Sequence, residues 1–494
     1  MVAPMLSRKL DPDRLARELG NWRTANGSGP VYRGLADGIR MLIVDGRLPI
    51  GAQLPSERVL AESLRVSRTT VTTAYAQLGE DGYLQSRPGA RSTTALPAPS
   101  APLVRSLDTE MPGAATINLA AAALPAPSSD VLAAYTEAAQ RMTPYLDTPG
   151  LEMSGIAPLR EAIATRYCER GLPTTPDEVM VTTGALQAIG LIIATFIQPG
   201  DRILVEQPSF HGALAAIAAA GARAVPVALN PEAADDAWDL EALNFAVRQL
   251  APNLAYLMPD CHNPTGLTLP AEARIRLAHI IADTRTRTIV DETMVDVWLD
   301  EPVPPPLASV MTTRHDLVLT VGSMSKSFWG GLRIGWIRAE RSALATVEAV
   351  RPSIDLGTPI LEQLAAARLL ASADSVLPGR RQLIRERRSL MTALLAHHLP
   401  DWEPLPAPGQ PVSGLALWVR LPAPMSSALS AAASRLGVEI PPGPRFGVDG
   451  TLERYIRVPY TLPEDQLPYA VELLARAWHN VTGSLNGQRG AVVV

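Results

Sequence analysis

The sequence predicts an α/β protein with a mostly parallel sheet, preceded by a small helical unit that ends in a hairpin. Past residue 176, strand-like runs alternate with helical patterns, as they do in a parallel sheet flanked by helices. Near residue 95 the composition turns to proline, alanine and serine without periodicity, which is typical of a semi-extended linker. The length of 494 residues also exceeds that of one ordinary domain. We therefore expect a front unit at 1–94, a linker at 95–115 and a body at 116–485.

Apolar residues at helical spacing predict three helices in the front unit. They are Leu35, Ile39, Leu42 and Ile43, then Leu60 and Leu64, then Val71, Ala74 and Leu78. Ser56 and Ser67 stand where their hydroxyls can cap the second and third helices, and Gly82 can end the third. The runs 83–86 and 91–94 bracket a Pro-Gly turn and predict a hairpin. Helix, tight turn, helix and hairpin is the layout of a winged helix-turn-helix.

The third helix of the front unit predicts a surface that can meet a polyanion. Its outward residues are Arg68, Thr69, Thr72 and Thr73, and an arginine near a helix N-terminus can hold a phosphate or read a guanine edge. Residues 1–94 carry 13 basic and 9 acidic side chains, whereas the remainder carries 31 and 40. The same pattern also fits a small helical domain whose arginines are merely solvated.

The run 53-QLPSERVLAESLRVSRTTVTTAYAQLGEDGYLQ-85 resembles the DNA-binding domain of GntR-type bacterial regulators. The resemblance covers the whole unit and implies that double-stranded DNA is the partner. The residues it assigns to the DNA contact are Arg58, Ser67, Arg68, Thr69, Thr70, Thr72, Arg87, Gly89 and Arg91. The wing departs from the family in reading Pro-Gly-Ala-Arg, where relatives often have Gly-x-Gly.

The strand-like runs of the body share an alternation with helices that predicts a mostly parallel sheet. They are 179-VMVTT-183, 202-RILVE-206, 223-RAVPV-227, 254-LAYLM-258, 287-RTIV-290 and 316-DLVLTV-321. In such sheets ligands gather at the carboxyl ends of the strands. The residues that follow these ends are therefore the candidates for a binding site.

Chemically distinctive residues follow successive strands. They are Gly184, Ala185 and Leu186, then Phe210, then Asn263, then Asp291, then Ser323, Ser325, Lys326 and Arg333. Small residues opening a helix make a seat for phosphate, and an aromatic ring can lie on a flat ligand. A carboxylate suits a ring nitrogen, an amide suits a phenolic oxygen, and an amine suits an aldehyde. Together they describe pyridoxal 5′-phosphate (PLP) as the cofactor.

Lys326 supports this interpretation because the chain almost lacks lysine. All but two of its 44 basic residues are arginines, and the other lysine is Lys9. The amine of lysine can lose a proton and attack a carbon, whereas the guanidinium of arginine stays charged. We therefore predict that Lys326 forms the Schiff base with the cofactor.

Each of these features also has an ordinary structural explanation. Asp291 can cap a helix, Phe210 can belong to the core, and a glycine often opens a helix after a strand. The arginine bias can reflect base composition alone. The order of the features at successive strand ends is what favours a cofactor site.

The order of these motifs resembles the fold type I aminotransferases over residues 115–480. The resemblance implies a mostly parallel sheet with flanking helices and a smaller C-terminal α/β subdomain. It makes Lys326 the internal aldimine lysine, Asp291 the partner of the pyridine nitrogen and Asn263 the ligand of the phenolic oxygen. Phe210 would stack on the ring, and Thr293 would contact the cofactor. The phosphate would be held by Gly184, Ala185, Ser323 and Arg333, and Leu186 and Ser325 would also contact the cofactor.

The segment 454-RYIRVPY-460 resembles the family segment whose arginine binds the α-carboxylate of a substrate, here Arg457. An ordinary strand arginine in a salt bridge is the alternative. The segment 291-DETM-294 lacks the tyrosine that relatives usually carry, and we expect this loss to weaken transamination. Gly212 stands where relatives that bind 4-aminobutyrate tend to have an arginine, which argues against that effector.

End to end, the chain resembles the MocR subgroup of bacterial transcription regulators. The resemblance implies a homodimer, assembled head to tail, that binds a promoter with paired half-sites and senses PLP, an amine or an amino acid. A catalytically active aminotransferase with an attached DNA-binding domain is the alternative, and cofactor storage with incidental DNA affinity is a third possibility.

Cysteine content and apolar runs predict where in the cell the protein is found. Two cysteines, no apolar leader and no apolar run of membrane length predict a cytoplasmic protein, associated with the nucleoid when bound to DNA. The spacing of the seven histidines predicts no metal site.

Overall fold

The computed structural model describes residues 10–20, 22, 31–80, 82–85, 91–95, 117–407 and 412–489. Within them the chain forms two compact units. The first contains the described residues up to 95, together with Leu421–Ala428 and Pro442–Tyr455. The second contains Ile117–Arg420, Leu429–Pro441 and the described residues from Ile456 onward. Apart from Ala95, the predicted linker lies outside the described residues.

The first unit has the elements of a winged helix-turn-helix. Its helices and strands are α1 Pro12–Leu19, α2 Val31–Val44, α3 Glu57–Leu64, α4 Arg68–Glu80, β1 Leu84–Gln85 and β2 Thr93–Thr94. Strands β1 and β2 pair antiparallel, with Leu84 opposite Thr94, as the predicted hairpin requires. The three predicted helices are confirmed, and α1 is a further helix that the sequence patterns did not indicate.

The apolar residues that predicted these helices form the core of the first unit. Leu35, Ile39, Val71 and Leu78 are among those fully buried. The tight turn between α3 and α4 places Arg65 in the left-handed region, with a φ of 52°.

The two predicted capping serines differ in their contacts. The Thr70 amide donates to the Ser67 hydroxyl at 3.1 Å, which confirms Ser67 as a cap of α4. Ser56 takes the N-cap position of α3, but its side chain makes no capping hydrogen bond, so that prediction was wrong. The first turn of α3 instead carries Glu57, whose negative charge suits a helix N-terminus.

The second unit contains a seven-stranded sheet in the order β4-β10-β9-β8-β7-β5-β6. These strands are β4 Val179–Thr182, β5 Arg202–Gln207, β6 Arg223–Ala228, β7 Leu254–Leu257, β8 Thr288–Asp291, β9 Val318–Ser323 and β10 Gly335–Arg338. Strand β10 runs antiparallel to β4 and β9, and the pairs among β5 to β9 are parallel. The mostly parallel sheet is confirmed, whereas β10 was missed.

Helices flank this sheet and bury most of its strands. They are α5 Ser128–Gln140, α6 Thr143–Leu146, α7 Ala157–Glu169, α8 Ala185–Phe196, α9 His211–Ala219, α10 Leu240–Leu250, α11 Ala271–Thr284, α12 Arg341–Val350 and α13 Ile360–Ala371. Strands β4, β7, β8, β9 and β10 are buried along their whole length, as strands covered on both faces are. The core therefore lies on either side of the sheet, and its strand ends remain for a site.

The C-terminal part adds a smaller α/β layer. Its further elements are β3 Ile117–Asn118, α14 Ala373–His398, β11 Glu403–Leu405, β12 Ala416–Arg420, α15 Ser426–Arg435, β13 Val438–Glu439, β14 Tyr455–Pro459 and α16 Leu467–Arg489. Strands β11, β12 and β14 form a three-stranded sheet, and β13 pairs parallel with β3. Across the residues that the structure describes, no helix is both long enough and apolar enough to cross a bilayer.

Candidate functional site

The predicted site residues lie at or just beyond the carboxyl ends of the parallel strands. Strand β8 ends at Asp291, β9 ends three residues before Lys326, and β4 ends two residues before Gly184. The loop after β7 carries Asn263, and Phe210 follows β5. Because parallel strands end at one edge of a sheet, these residues share that edge.

The amine of Lys326 is placed as a nucleophile. It donates a hydrogen bond to the Ala122 carbonyl at 2.7 Å. Burial and the positive charges of Arg457 and Arg333 lower the pKa of this amine to about 8, while the negative charge of Asp291 opposes them. A lysine with such a pKa is neutral in a substantial fraction of molecules near physiological pH, and the neutral form attacks carbonyl carbon.

Asp291 is a buried carboxylate held by hydrogen bonds. Its Oδ1 accepts the Thr293 backbone N–H at 2.8 Å, and its Oδ2 accepts the Tyr256 hydroxyl at 2.7 Å. Burial raises the pKa of Asp291, while the hydrogen bonds from Thr293 and Tyr256 lower it. Met294, which follows Thr293, is buried. The segment 291–294 contains no tyrosine and so offers no phenol. Tyr256 was not predicted from the sequence as a site residue, although a tyrosine in a buried apolar strand usually has a polar partner for its hydroxyl.

A seat for an anion lies where α8 begins. Gly184, with a φ of 86°, occupies the N-cap position of this helix. This positive φ favours glycine, and a Cβ at Gly184 would come within 2.8 Å of the Arg333 guanidinium, which would then have to move. Arg333 also donates to the Thr183 carbonyl at 3.3 Å. The N–H groups of the first turn, from Ala185 and Leu186, and the guanidinium together favour a phosphate group.

Ser323, the last residue of β9, and Ser325 lie next to each other in this region. The hydroxyls of Ser323 and Ser325 lie 3.1 Å apart, and the Ser325 backbone N–H donates to the Ser323 hydroxyl. Ser323 also donates to the Ile334 carbonyl at 3.2 Å, which links the turn to the start of β10. Gly335 must be a glycine there, because a Cβ would lie 2.5 Å from the Gly184 backbone.

A segment of backbone that we call the strap, residues 119–125, contacts the cationic residues of the site. The Ala120 carbonyl accepts from Arg457 at 2.5 Å, and the Ala122 carbonyl accepts from Lys326. Between them, the Ala121 carbonyl accepts from the Thr461 hydroxyl at 3.1 Å. Three successive carbonyls of the strap are thus bonded to the site or its neighbours, and no sequence pattern had indicated this.

Two arginines hold the strap and the lysine turn in place. Buried Arg457 also donates to the Asn263 side-chain oxygen at 3.3 Å. Arg380 of α14 donates to the carbonyls of Pro125, Ser327 and Phe328 at 2.7, 3.3 and 3.0 Å. Arg380 therefore connects the end of the strap to the turn that follows Lys326.

Phe210 lies part-buried at the N-cap position of α9. Its ring covers Gly212, where a Cβ would come within 2.5 Å of the ring atoms. Position 212 therefore excludes any larger residue while the ring has this orientation. The stacking of Phe210 on a cofactor ring stays a prediction.

The side chains at this edge fit pyridoxal 5′-phosphate. The Lys326 amine, which is readily deprotonated, suits the aldehyde, and the buried Asp291 carboxylate suits the ring nitrogen. Arg457 donates to the side-chain oxygen of Asn263, which leaves the Asn263 NH₂ group to donate to a phenolic oxygen. The N–H groups at the start of α8 and the Arg333 guanidinium provide for the phosphate.

The predicted DNA-facing residues lie on the surface of the first unit. Those exposed are Arg58, Ser67, Arg68, Thr69, Thr72 and Arg91, and Thr70 is part-exposed. Glu57 accepts from the Thr72 hydroxyl at 2.7 Å and lies 3.5 Å from the Arg68 guanidinium. Arg87 and Gly89 of the wing lie outside the described residues.

Two family models match this chain in succession. The model of aminotransferase class I and II matches residues 115–474, and that of bacterial regulatory proteins of the gntR family matches residues 31–93. The chain is 30% identical to an uncharacterized HTH-type transcriptional regulator of Escherichia coli, YdcR, over 86% of this chain and 94% of that protein. It is 26% identical to the probable rhizopine catabolism regulatory protein MocR of Rhizobium meliloti, over 76% and 78%.

A solved structure shares the fold of the body. LysN, an alpha-aminoadipate aminotransferase from Thermus thermophilus complexed with N-(5′-phosphopyridoxyl)-L-leucine, superposes with a TM-score of 0.66 at 28% identity. The match covers 75% of this chain and 93% of that one. With a winged helix-turn-helix in front of an aminotransferase class I and II domain, this chain belongs to the GntR-type transcription regulators of MocR architecture.

Proposed function

We propose that this regulator binds promoter DNA through its first unit and senses PLP, an amine or an amino acid through covalent chemistry at Lys326. The observation that carries the proposal is the Lys326 amine, with its lowered pKa, beside Arg457 and Asp291. When bound, PLP supplies an aldehyde carbon that an amine can attack. The residues of the site hold the cofactor and the effector in place.

Each predicted residue has a proposed role toward the cofactor or the effector. Asp291 holds the ring nitrogen, Asn263 the phenolic oxygen, and Arg457 the effector carboxylate. Phe210 covers the ring, and Thr293 orients Asp291 through its backbone N–H. The phosphate is held by Gly184, Ala185, Leu186, Ser323, Ser325 and Arg333.

The strap offers a physical link between effector binding and DNA binding. An effector carboxylate that pairs bidentately with Arg457 must replace the Ala120 carbonyl, which is bonded there at 2.5 Å. A new bond at Lys326 likewise removes the proton that this amine donates to Ala122. The strap closely follows the predicted linker in sequence. Its release therefore frees the start of the body, to which the linker from the DNA-binding unit is attached.

The partner that we propose for this chain is a second copy of itself. Leu151, Ile354 and Leu356 are exposed apolar residues on adjoining segments, and exposed Leu186 opens α8 beside the site. The Gln187 side chain donates to Asp355, which joins these segments. A homodimer through this face, assembled head to tail, places two DNA-binding units on paired half-sites.

Turnover distinguishes this regulator from an aminotransferase that carries a DNA-binding domain. The purified protein is mixed with PLP, amino acids and a keto acid, and the absorbance near 420 nm and the amino-acid products are followed. We expect one spectral change and no continuing product, because no phenol follows Asp291. Sustained product formation over many turnovers would assign the chain to the enzymes instead.

The lowered pKa of Lys326 predicts the pH dependence of PLP uptake. Only the neutral amine attacks the aldehyde, so the rate rises about tenfold per pH unit below pH 8 and levels off above it. Stopped-flow absorbance near 420 nm measures this rate. A rate that still climbs between pH 9 and pH 10 would indicate an unshifted lysine and contradict the site described.

Replacing Arg68 tests the DNA-facing surface. An Arg68→Ala variant is expected to bind its promoter more weakly by about 1–3 kcal/mol, because an arginine at this helix N-terminus contacts a base edge or phosphate. Fluorescence anisotropy at fixed salt measures the Kd. Arg33→Ala, which removes an exposed charge from α2, is the matched control. Equal losses in both variants would reduce the role of Arg68 to net charge.

A further inference from the structure

Tyr256 and Asp291 lie on neighbouring strands and on one face of the sheet. In the pairing of β7 with β8, Tyr256 lies opposite Ile289, two residues before Asp291. Residues two apart on a strand share a face, and a long side chain reaches such a diagonal neighbour. The Tyr256 hydroxyl accordingly lies 2.7 Å from Asp291 Oδ2, and each residue is only 1% exposed.

A second buried carboxylate, Glu206, opposes the ionisation of Asp291, which the Tyr256 hydrogen bond favours. Glu206, at the end of β5, is 2% exposed and accepts from the Trp238 indole at 2.6 Å and the Met258 N–H at 2.7 Å. Its negative charge raises the pKa of both Asp291 and Tyr256, in addition to the effect of burial. Asp291 is thus driven toward its protonated form by burial and Glu206, and toward its ionised form by Tyr256 and Thr293.

We propose that Tyr256 is a positioning residue, which keeps Asp291 ionised and orients its carboxylate toward the ring nitrogen of PLP. The inference rests on the proposed function, since it requires that PLP binds at this edge. An ionised Asp291 holds a proton on the ring nitrogen, whereas a protonated Asp291 leaves that nitrogen without a negative partner. Tyr256 therefore acts through Asp291 and need not touch the cofactor.

The test is a Tyr256→Phe variant loaded with PLP that carries ¹⁵N in its ring. Removing the hydroxyl keeps the shape of the side chain and takes one donor from a buried carboxylate. We expect the ring-nitrogen resonance to move toward the unprotonated position, and PLP affinity to fall roughly ten- to hundredfold, as loss of a hydrogen bond to a charged group does. Absorbance titration gives the affinity, and neither readout depends on enzymatic activity.

Two comparisons separate positioning from a general structural effect. Tyr167→Phe removes a buried hydroxyl that bonds Trp336 instead, and it should leave the ring-nitrogen resonance unchanged. In an Asp291→Asn background, Tyr256→Phe should change the resonance no further, because its effect passes through the carboxylate. An unchanged resonance and affinity in Tyr256→Phe, or an undiminished effect in the Asn background, would overturn the proposal.

The outcomes also distinguish this inference from the proposed function. A wild-type protein that takes up no PLP refutes the proposed function, whereas normal uptake with an unaffected Tyr256→Phe variant refutes only the role of Tyr256. Should the variant fail to fold, ζ-¹³C-tyrosine labelling of the otherwise unaltered protein gives a second measurement. The Tyr256 signal should then shift both on PLP addition and in Asp291→Asn, and a signal unmoved by both would refute the role.

Discussion

Replacing Lys326 with alanine is expected to abolish the response of DNA binding to PLP and to amine effectors. The variant should give the same promoter Kd with and without PLP, whereas the wild type should change by the roughly 5- to 150-fold that coupled sites show. The reason is that the covalent bond and the contact with Ala122 both depend on this amine. Electrophoretic or anisotropy titration of promoter DNA at fixed salt measures the effect.

A Lys326→Arg variant is the matched control for charge. Arginine keeps a positive side chain near Ala122 but cannot form the covalent bond, so it should lose the response as completely as alanine does. A response that arginine retains and alanine loses would mean that charge alone operates the switch. That result would contradict the covalent mechanism.

Replacing Arg457 with leucine is expected to weaken the binding of carboxylate effectors roughly hundredfold, since a buried bidentate ion pair is lost. Isothermal titration of PLP-loaded protein with candidate amino acids measures this affinity. Because the Arg457 charge helps to lower the pKa of Lys326, the pH profile of PLP uptake should also move to higher pH. Effector affinity and the pH profile therefore report independently on the Arg457 guanidinium.

Arg435, an exposed residue of α15, provides the control for this experiment. An Arg435→Leu variant should bind effectors as the wild type does and should keep the pH profile of PLP uptake. If Arg457→Leu retained its affinity for amino acids but lost it for amines without a carboxylate, Arg457 would have another role. The strap contact at Ala120 would then be structural only.

The strand-end residues could be predicted because their positions follow from the parallel sheet alone. Once the apolar runs are strands, Gly184, Asp291 and Lys326 fall at or just beyond strand ends on one edge of the sheet. Strand β10 escaped prediction because it directly follows the site loop and places only two apolar residues, Trp336 and Ile337, between Gly335 and Arg338. Ser56 failed as a cap because propensity places a serine at the helix start without fixing its rotamer.

The strap and Tyr256 show what sequence patterns do not contain. The strap is a run of alanines whose backbone carbonyls make the contacts, and any residue has such carbonyls. Tyr256 sits in a run that reads as an apolar strand, and only the pairing register with β8 places its hydroxyl on Asp291. Arg380 of α14 likewise donates to backbone carbonyls, those of Pro125 and Phe328 among them. Such partners are distant in sequence and come together only in the folded chain.

The most direct test of the account maps where PLP attaches. The purified protein is saturated with PLP, reduced with borohydride, digested and analysed by mass spectrometry. The chain contains two lysines, so Lys9 serves as an internal control. We predict absorbance near 420 nm before reduction and a phosphopyridoxyl adduct on the peptide containing Lys326. A colourless protein, or an adduct confined to Lys9 or the terminal amine, would contradict the central claim.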